Sequence, residues 1–485
     1  MKTIKVDVAV IGAGTAGLVA YSAARQSAKP GSRIVLIESG PYGTTCARVG
    51  CMPSKLLIAA SDAAHALACA PGFGVHPGLV RIDGVAVMAR VRSERDRFVG
   101  FVIDGVDRIP AQDKIIGRAR FTGPLQLQVD DHSVIEAGAI VIATGSAPVV
   151  PAAWANAGDR VIISDDVFDW TDLPDSVAVV GSGVIGLELG QALHRLGVRV
   201  SVFARGGTVA QLSDPQVLQV AQQVIKAQLD LRFYTEIVSV ADAGDALLVT
   251  SKDGSGHERS ERFDYVLAAI GRSPNVRGLG LELAQLELDE RGVPLYDKQT
   301  MQCGGSAIFI AGDADDERPV LPEAMDQGRI AGANAGRFPD LQPGLRRTAL
   351  TIAFTEPQIA TLGARHKALC ASHAGRFAVG AASFENQGRS RVMLQHQGLL
   401  RLYGEAGSGR FLGAEMIGPR AEHIGHLLAW ACQAGLTVAE MLDMPFYHPV
   451  IEEGVRTALR DLADKLAQQS AEKSPERCLD GTPGC

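Results

Sequence analysis

Two stretches of this 485-residue chain repeat one another: VAVIGAGTAGL at residues 8–18 and VAVVGSGVIGL at residues 177–187, identical at seven of eleven positions. Each sets an apolar run directly before G-x-G-x-x-G, made by Gly12, Gly14 and Gly17 in the first copy and by Gly181, Gly183 and Gly186 in the second. In a strand that runs into a helix through such a turn, the first glycine makes the turn and the second lets backbone approach a pyrophosphate. The third packs helix against strand, and the free N–H groups of the helix N-terminus face the phosphates. The duplication predicts an α/β chain with two Rossmann-like dinucleotide-binding domains.

The strand after each copy separates the two sites. The first copy leads into RIVLIE at residues 33–38, a second apolar strand that ends in Glu38. An acid about 20 residues past the glycines is where a ribose hydroxyl is met. The second copy leads into VRVSVFAR at residues 198–205, with Ala204 at the acid position and Arg205 next to it. An acid there holds a 2′-hydroxyl and repels a 2′-phosphate, whereas an arginine accommodates that phosphate. The pattern tilts the second site toward NADPH. Gly186 is compatible with NADH as well, and a solvated surface arginine is an equal reading of Arg205.

Three further apolar runs end in glycine turns: AIVIATGSAP (139–148), DYVLAAIGRSPN (264–275) and AIFIAGDAD (307–315). Such runs are strands that deliver loops to a cofactor, which makes Thr144, Gly145, Gly271, Arg272, Gly312 and Asp313 cofactor-binding candidates. From about residue 350 the texture changes to strand-like segments and then to the helical stretch HIGHLLAWACQAGLTVAEML, a separate C-terminal α+β domain. The final segment, QQSAEKSPERCLDGTPGC, reads as a polar, flexible tail. The expected divisions are residues 1–150, 151–275, 276–345, 346–466 and 467–485.

Hydrophobic content of 46% with 21% charged residues describes an ordinary globular chain, and a net charge of −7 gives no reason to expect nucleic acid or an anionic membrane. The apolar run at the N-terminus ends at once in glycines, is too short to span a bilayer and has no cleavage-site pattern, so the expected location is the cytoplasm. Eight cysteines in a reducing compartment are not a disulfide framework. Cys69, Cys303, Cys370 and Cys432 stand alone among apolar or small neighbours and read as small buried hydrophobes, which leaves the pairs Cys46 with Cys51 and Cys478 with Cys485.

Five residues of undistorted helix separate two Cα atoms by roughly 8–9 Å, and a disulfide needs about 4.4–6.8 Å. If Cys46 and Cys51 bond, the backbone between them must leave the helix, and Gly50 supplies that freedom. The loop is too short to add much stability, and strain favours its reduction. A zinc site lacks the remaining ligands nearby, so no metal is assigned. Two unrelated loop cysteines remain a reading of the pair taken alone; it loses weight downstream of a dinucleotide-binding site.

CARVGCMPSK at residues 46–55, the two fingerprints, ATG at 143–145, Gly312-Asp313 and HPVIEE at 448–453 together resemble the dimeric flavoprotein disulfide reductases over residues 6–466. That family includes dihydrolipoamide dehydrogenase, glutathione reductase, mercuric reductase and large thioredoxin reductases. The resemblance implies FAD held by Gly12, Gly14, Gly17 and Glu38, with Asp313 toward its ribityl chain, in a domain of residues 1–150 completed by 276–345. It implies an NAD(P)-binding domain at 151–275 and a dimerisation domain at 346–466. Lys55 and Glu188 would pair beside the flavin ring. Cys51 would be the flavin-side sulfur and Cys46 the sulfur that meets substrate. His448, oriented by Glu453, would be the base, contributed by the other subunit of a homodimer. The helix after it, with Val455, Ala458, Leu459, Leu462 and Leu466 on one face, reads as a core-packing element.

Within the family, Ser22 in the first helix cannot grip a glutathione carboxylate as an arginine would. The adjacent C-terminal cysteines and metal-binding leader of mercuric reductases are not seen. The second fingerprint, GSGVIGLELGQALHRLG, and CMPSK resemble dihydrolipoamide dehydrogenase most, which implies lipoamide or a lipoyl-domain protein as substrate and NAD(P)H as partner cofactor. Ala204 and Val450 depart from that pattern, and Cys478 with Cys485 are similar to the C-terminal redox pair of large thioredoxin reductases. An NADPH-dependent reductase of another disulfide is therefore the alternative, and a flavin redox sensor without turnover is the alternative from a different class.

Overall fold

A computed structural model of the chain describes residues 1–472; the expectations for Cys478, Cys485 and the tail beyond lie outside the described residues. The chain divides into two compact units, Met1–Arg205 with Arg232–Arg347, and Gly206–Leu231 with Thr348 onward.

In the first unit, strand Lys2–Ile11 lies between strands Ile34–Glu38 and Ser133–Ile142, parallel to both. A strand bonded on both edges and covered on both faces has no polar side to show, which is why Val8, Ala9, Val10 and Ile11 are all buried apolar residues. Strand Ile308–Ile310 extends this sheet in parallel beyond Ser133–Ile142. Strand Ser176–Val180 repeats the arrangement between Arg199–Ala204 and Tyr265–Ala268. The copies agree in their hydrogen bonds. Gly12 N donates to Ile37 O and Gly181 N to Phe203 O, both at 2.8 Å. Ala143 N donates to Ile11 O and Ala269 N to Val180 O, both at 2.9 Å.

Helix Thr15–Ser27, which leaves the first glycine turn, is positioned by helix Leu321–Arg337. Gly328, Gly332 and Gly336 form a bare ridge along the latter. A Cβ on each would stand 2.4, 2.1 and 2.6 Å from the carbonyl oxygens of Ala16, Ala20 and Ala24. These distances are far inside contact, so the two backbones pack as closely as they do only because the ridge has no side chains.

The second unit is built on an antiparallel sheet in the order Leu350–Ala353, Gln358–Gly363, Phe411–Gly418, Leu399–Glu405 and Phe377–Ser383. Helix Glu453–Glu472 buries Val455, Ala458, Leu459, Leu462 and Leu466 against it, and continues past residue 466, where the tail was expected to start. Helix Pro215–Lys226 packs within this unit, against strands Leu399–Glu405 and Phe411–Gly418. Asp214 explains its attachment. The buried carboxylate caps Gln216 N at 2.9 Å and Val217 N at 3.3 Å while Arg401 Nε (2.9 Å) and Tyr403 OH (3.1 Å) donate to it from the sheet. Glu415, also buried, accepts from Ser213 N and Oγ, Asp214 N and His366 N. Two buried carboxylates are tolerable because each is saturated with donors.

Cys303 is buried as expected, but Cys69 and Cys370 are exposed, each one turn after a histidine: Cys69 Sγ is 3.4 Å from His65 Nε2 and Cys370 Sγ is 3.7 Å from His366 Nδ1. Their apolar sequence neighbours misled, because adjacent helical residues point to different faces: Leu369 is buried and Cys370 is not. Residues 45–73 are long and apolar enough to cross a bilayer by length and composition alone. Within that stretch Leu57, Ile58 and Ser61 are buried in the protein and Lys55 is ion-paired, so part of its apolar character serves packing.

Candidate active site

The first glycine turn opens into a cleft of about 560 Å³, lined by Gly12, Gly14, Glu38, Thr44, Thr45, Arg48, Thr144 and Gly145 among others. The three glycines of the fingerprint have different neighbours. A Cβ on Gly12 would stand 2.3 Å from Ala143 O and one on Gly17 1.8 Å from Gly12 O, whereas one on Gly14 would meet nothing within 4 Å. Gly12 and Gly17 therefore serve backbone packing, and Gly14 faces open space. Helix Thr15–Ser27 begins there with no side-chain cap, which leaves its first N–H groups for a ligand. Glu38 Oε2 accepts from Ala13 N at 2.6 Å and Oε1 from Gly40 N at 2.7 Å, so the carboxylate is fixed at the cleft wall.

Thr144 Oγ1 is buried at this cleft without a hydrogen-bond partner among the described residues. A buried hydroxyl without a protein partner calls for a polar atom from outside the chain, a water's or a ligand's. The open Gly14 seat, the uncapped helix, Glu38 and the orphaned Thr144 together fit FAD: Glu38 would hold its ribose and the helix N-terminus its diphosphate.

The far wall is a hydrogen-bonded chain. Ser146 Oγ donates to Asp313 Oδ2 at 2.8 Å, and Arg272 reaches Ser146 Oγ with Nε at 2.8 Å and Ser146 O with Nη2 at 2.7 Å. Asn275 N and Nδ2 hold the carbonyls of Gly145 and Thr144 at 2.8 and 3.1 Å. Gly271 and Arg272 thus sit against the 144–146 loop. Gly312, at φ +72°, donates to Gln327 Oε1 at 2.7 Å, and Gln327 Nε2 donates to Asp315 at 2.6 Å. Tyr296 OH reaches both Asp315 and Glu317. Burial raises the Asp315 carboxyl; at Glu317 burial is outweighed by hydrogen bonds from Lys298 and Arg346, which hold it at about 2. Ser146, Asn275, Gln327 and Tyr296 were not foreseen from the sequence.

Cys46 and Cys51 lie on either side of a helix break. Helix Thr45–Val49 ends at Gly50, at φ −130° and ψ −114°, and helix Cys51–Cys69 begins directly after it. The break takes the place of the undistorted helix that would hold the sulfurs apart. Both are free thiols, and the Cys46 thiol hydrogen-bonds to Cys51. That hydrogen bond, opposed by burial and aided by Lys55, lowers Cys51 to about 7; the same bond, with burial, raises Cys46. Lys55 Nζ lies 2.8 Å from Glu188 Oε2, and Glu188 is only 4% exposed. Glu188 comes from helix Val184–Arg195 of the second fold, so the two nucleotide folds meet at the cysteines; Arg195 with Asp62 (3.1 Å) is a second tie between the same helices.

In that second fold Gly181 and Gly186 are again packed against backbone, and Gly183 faces open space. Ala204 is buried at its strand end and Arg205 is exposed. In the other unit, His448 Nδ1 is 3.0 and 3.1 Å from the two carboxylate oxygens of Glu453. With the Nδ1 proton on the carboxylate side, Nε2 carries the free lone pair. Arg456 Nη2 donates to the same carboxylate at 3.1 Å, and the Arg456 guanidinium carbon lies 5.7 Å from the centroid of the Phe446 ring. The hydrogen bond from His448 holds Glu453 below the usual carboxylate range. Arg456 was also missed, though a basic residue three positions after an acid at a helix start signals such a pair.

Residues 6–328 match the pyridine nucleotide-disulphide oxidoreductase family and residues 350–459 match its dimerisation domain. The chain is 29% identical over 479 residues to a mercuric reductase of Acidithiobacillus ferrooxidans, covering 96% of this chain and 84% of that protein. It is 29% identical over 481 residues to dihydrolipoyl dehydrogenase 3 of Pseudomonas aeruginosa, covering 95% and 99%. Among solved structures, LpdA of Mycobacterium tuberculosis superposes with a TM-score of 0.80 at 26% identity, over 94% of this chain and 99% of that one. The fold is shared too with the HOCl-induced flavoprotein disulfide reductase RclA of Escherichia coli, in its Cu(II) complex, at a TM-score of 0.78 and 22% identity over 94% and 99%. With its duplicated nucleotide folds, the cleft at its first glycine turn and its paired thiols, the chain belongs to the pyridine nucleotide-disulphide oxidoreductases, which bind FAD and NAD(P)H.

Proposed function

We propose that within this family the chain is a dihydrolipoamide dehydrogenase type of enzyme, a homodimer that moves electron pairs between a dithiol substrate and NAD(P) through Cys46 and Cys51. The observation that carries the dithiol chemistry is geometric: Cys46 and Cys51 are free thiols on either side of the Gly50 helix break, and Lys55, one turn beyond Cys51, is held by Glu188 at 2.8 Å. In that setting the Cys46 thiol and the Lys55 charge lower Cys51 to about 7. A sulfur near that value is a good leaving group when a thiolate attacks its partner, because thiol exchange depends on the leaving thiol's acidity. The match to dihydrolipoyl dehydrogenase 3 of Pseudomonas aeruginosa, 29% identical over 481 residues, supports the lipoamide reading.

In the oxidised state, His448 of one subunit accepts a proton at Nε2 from the dithiol, and Glu453 stabilises the imidazolium. The substrate thiolate attacks Cys46 Sγ and the Cys46–Cys51 bond breaks, releasing Cys51 as thiolate. The second substrate sulfur, its proton passing to the departing Cys46, then attacks the first substrate sulfur in the mixed disulfide and releases Cys46 as a thiol, so the substrate leaves as a disulfide and the pair holds its two electrons. Lys55, held by Glu188, keeps a positive charge beside the Cys51 thiolate. When bound, FAD supplies the two-electron carrier that joins this pair to the nicotinamide.

The decisive experiment is an anaerobic titration with NADH and, separately, NADPH, followed by lipoamide. A long-wavelength thiolate-to-flavin band discharged by lipoamide supports the reading; reduction without the band, and no response to lipoamide, sinks it. Ala204 favours a second reading, an NADPH-dependent reductase of another disulfide. In that case NADPH reduces the protein far better than NADH and lipoamide is a poor acceptor.

A further inference from the structure

Arg48 stands in the segment between Cys46 and Cys51 and lines the same cleft as Gly12, Gly14 and Thr144. Its stem has a path made for it. Gly43, at φ +125°, would carry a Cβ 2.8 Å from Arg48 Cδ, 3.0 Å from Arg48 Cγ and 2.9 Å from Val99 Cγ1. Any other residue at position 43 would push the arginine aside. The side chain thus packs against Gly43 in a half-buried position, while its guanidinium makes no hydrogen bond or ion pair among the described residues.

The wall of the cleft is electrically unbalanced. Three arginines line it, Arg48, Arg118 and Arg277, against one acid, Glu38, whose two oxygens are already engaged by Ala13 N and Gly40 N. The Arg48 charge also reaches Asp165, a half-buried carboxyl that lies within range of Arg272 as well. FAD carries its charge on its diphosphate. Arg118 and Arg277 are exposed, whereas Arg48 is ordered by its surroundings, and a fixed guanidinium fork loses little freedom on binding phosphate oxygens.

We propose that Arg48 binds the diphosphate of FAD, so that the segment carrying the two redox sulfurs itself grips the cofactor. The residue is then a cofactor ligand as well as a spacer in the C-x4-C segment, and it ties the placement of Cys46 and Cys51 to occupancy of the flavin site. The inference rests on the family's cofactor and not on the choice of dithiol substrate.

The test compares full-length protein stripped of flavin and titrated with FAD and with riboflavin, which lacks the diphosphate, following flavin fluorescence. Binding of FAD by the wild type checks the cofactor independently. Arg48→Met should raise the FAD dissociation constant about tenfold or more, the range for a lost charge-assisted hydrogen bond. Arg48→Lys should recover part of it, and riboflavin binding should not change. Gly43→Ala, which displaces the stem and keeps the charge, should weaken FAD in the same selective way. An FAD constant within twofold of wild type in Arg48→Met overturns the proposal. So does an equal loss for FAD and riboflavin, which would mark damage to the loop rather than a phosphate contact.

Discussion

Ala204 occupies in the second nucleotide fold the station that Glu38 occupies in the first. Gly12 follows Ile11, which pairs with Ile37 just before Glu38; Gly181 follows Val180, which lies beside Phe203 just before Ala204. The register therefore establishes the correspondence that the sequence alone suggested. With no carboxylate there and Arg205 next, the site lacks the group that selects against a 2′-phosphate. Arg205→Ala is expected to lower kcat/KM for NADPH by about tenfold and to leave NADH within about threefold. Equal losses for both nucleotides would remove Arg205 from phosphate recognition.

The pairing of Cys46 with Cys51 makes a pH prediction of definite sign. Cys51 is lowered to about 7, so its thiolate is present above that pH and is lost as pH falls through it. The thiolate-to-flavin absorbance of the two-electron-reduced protein should fade along the same path. Replacing Cys46 by Ala removes the hydrogen bond that contributes most, and Lys55→Met removes the nearby charge. Each should move alkylation of Cys51 by iodoacetamide to higher pH, toward the usual thiol range. An unmoved profile in both variants contradicts the assigned causes.

His448 and Glu453 should matter in the dithiol half-reaction alone. His448→Gln keeps a polar group but removes the base, and is expected to lower lipoamide turnover by about 10² to 10⁴, the usual range for a general base. Reduction of the flavin by nicotinamide should stay near wild type, because that step uses neither residue. Stopped-flow measurement of the two half-reactions separates these outcomes, and equal slowing of both would place His448 elsewhere in the mechanism.

The features legible in the sequence were those written in local backbone chemistry. Gly12, Gly14 and Gly17 announce themselves because strand, turn and helix come in immediate succession. The apolar face of helix Glu453–Glu472 comes from period alone, and its five expected residues are all buried. The features that stayed hidden depend on a partner far away in the chain. Gln327 gains meaning only when Gly312 N is found 2.7 Å away, and Asp214 only beside Arg401 and Tyr403. Cys69 and Cys370 fail for a related reason: apolar neighbours in sequence do not say which face of a helix is covered.

The ridge of Gly328, Gly332 and Gly336 is the clearest of these hidden features, and a pair of substitutions tests it. Alanine for glycine within a helix stabilises by up to about 1 kcal/mol where space permits. Gly100, in helix Gly84–Asp107, would carry its Cβ into open space, so Gly100→Ala is expected to raise Tm slightly. At Gly332 the Cβ would lie 2.1 Å from Ala20 O, a backbone atom that moves only if helix Thr15–Ser27 moves. Overpacking of this kind costs about 1–3 kcal/mol, which exceeds the propensity gain. The displaced helix also carries the N-terminal seat of the diphosphate. Gly332→Ala should therefore lower Tm and release FAD more readily, measured by thermal unfolding with flavin fluorescence as a second signal. Equal stabilisation by both substitutions would show that the ridge does not set the position of that helix.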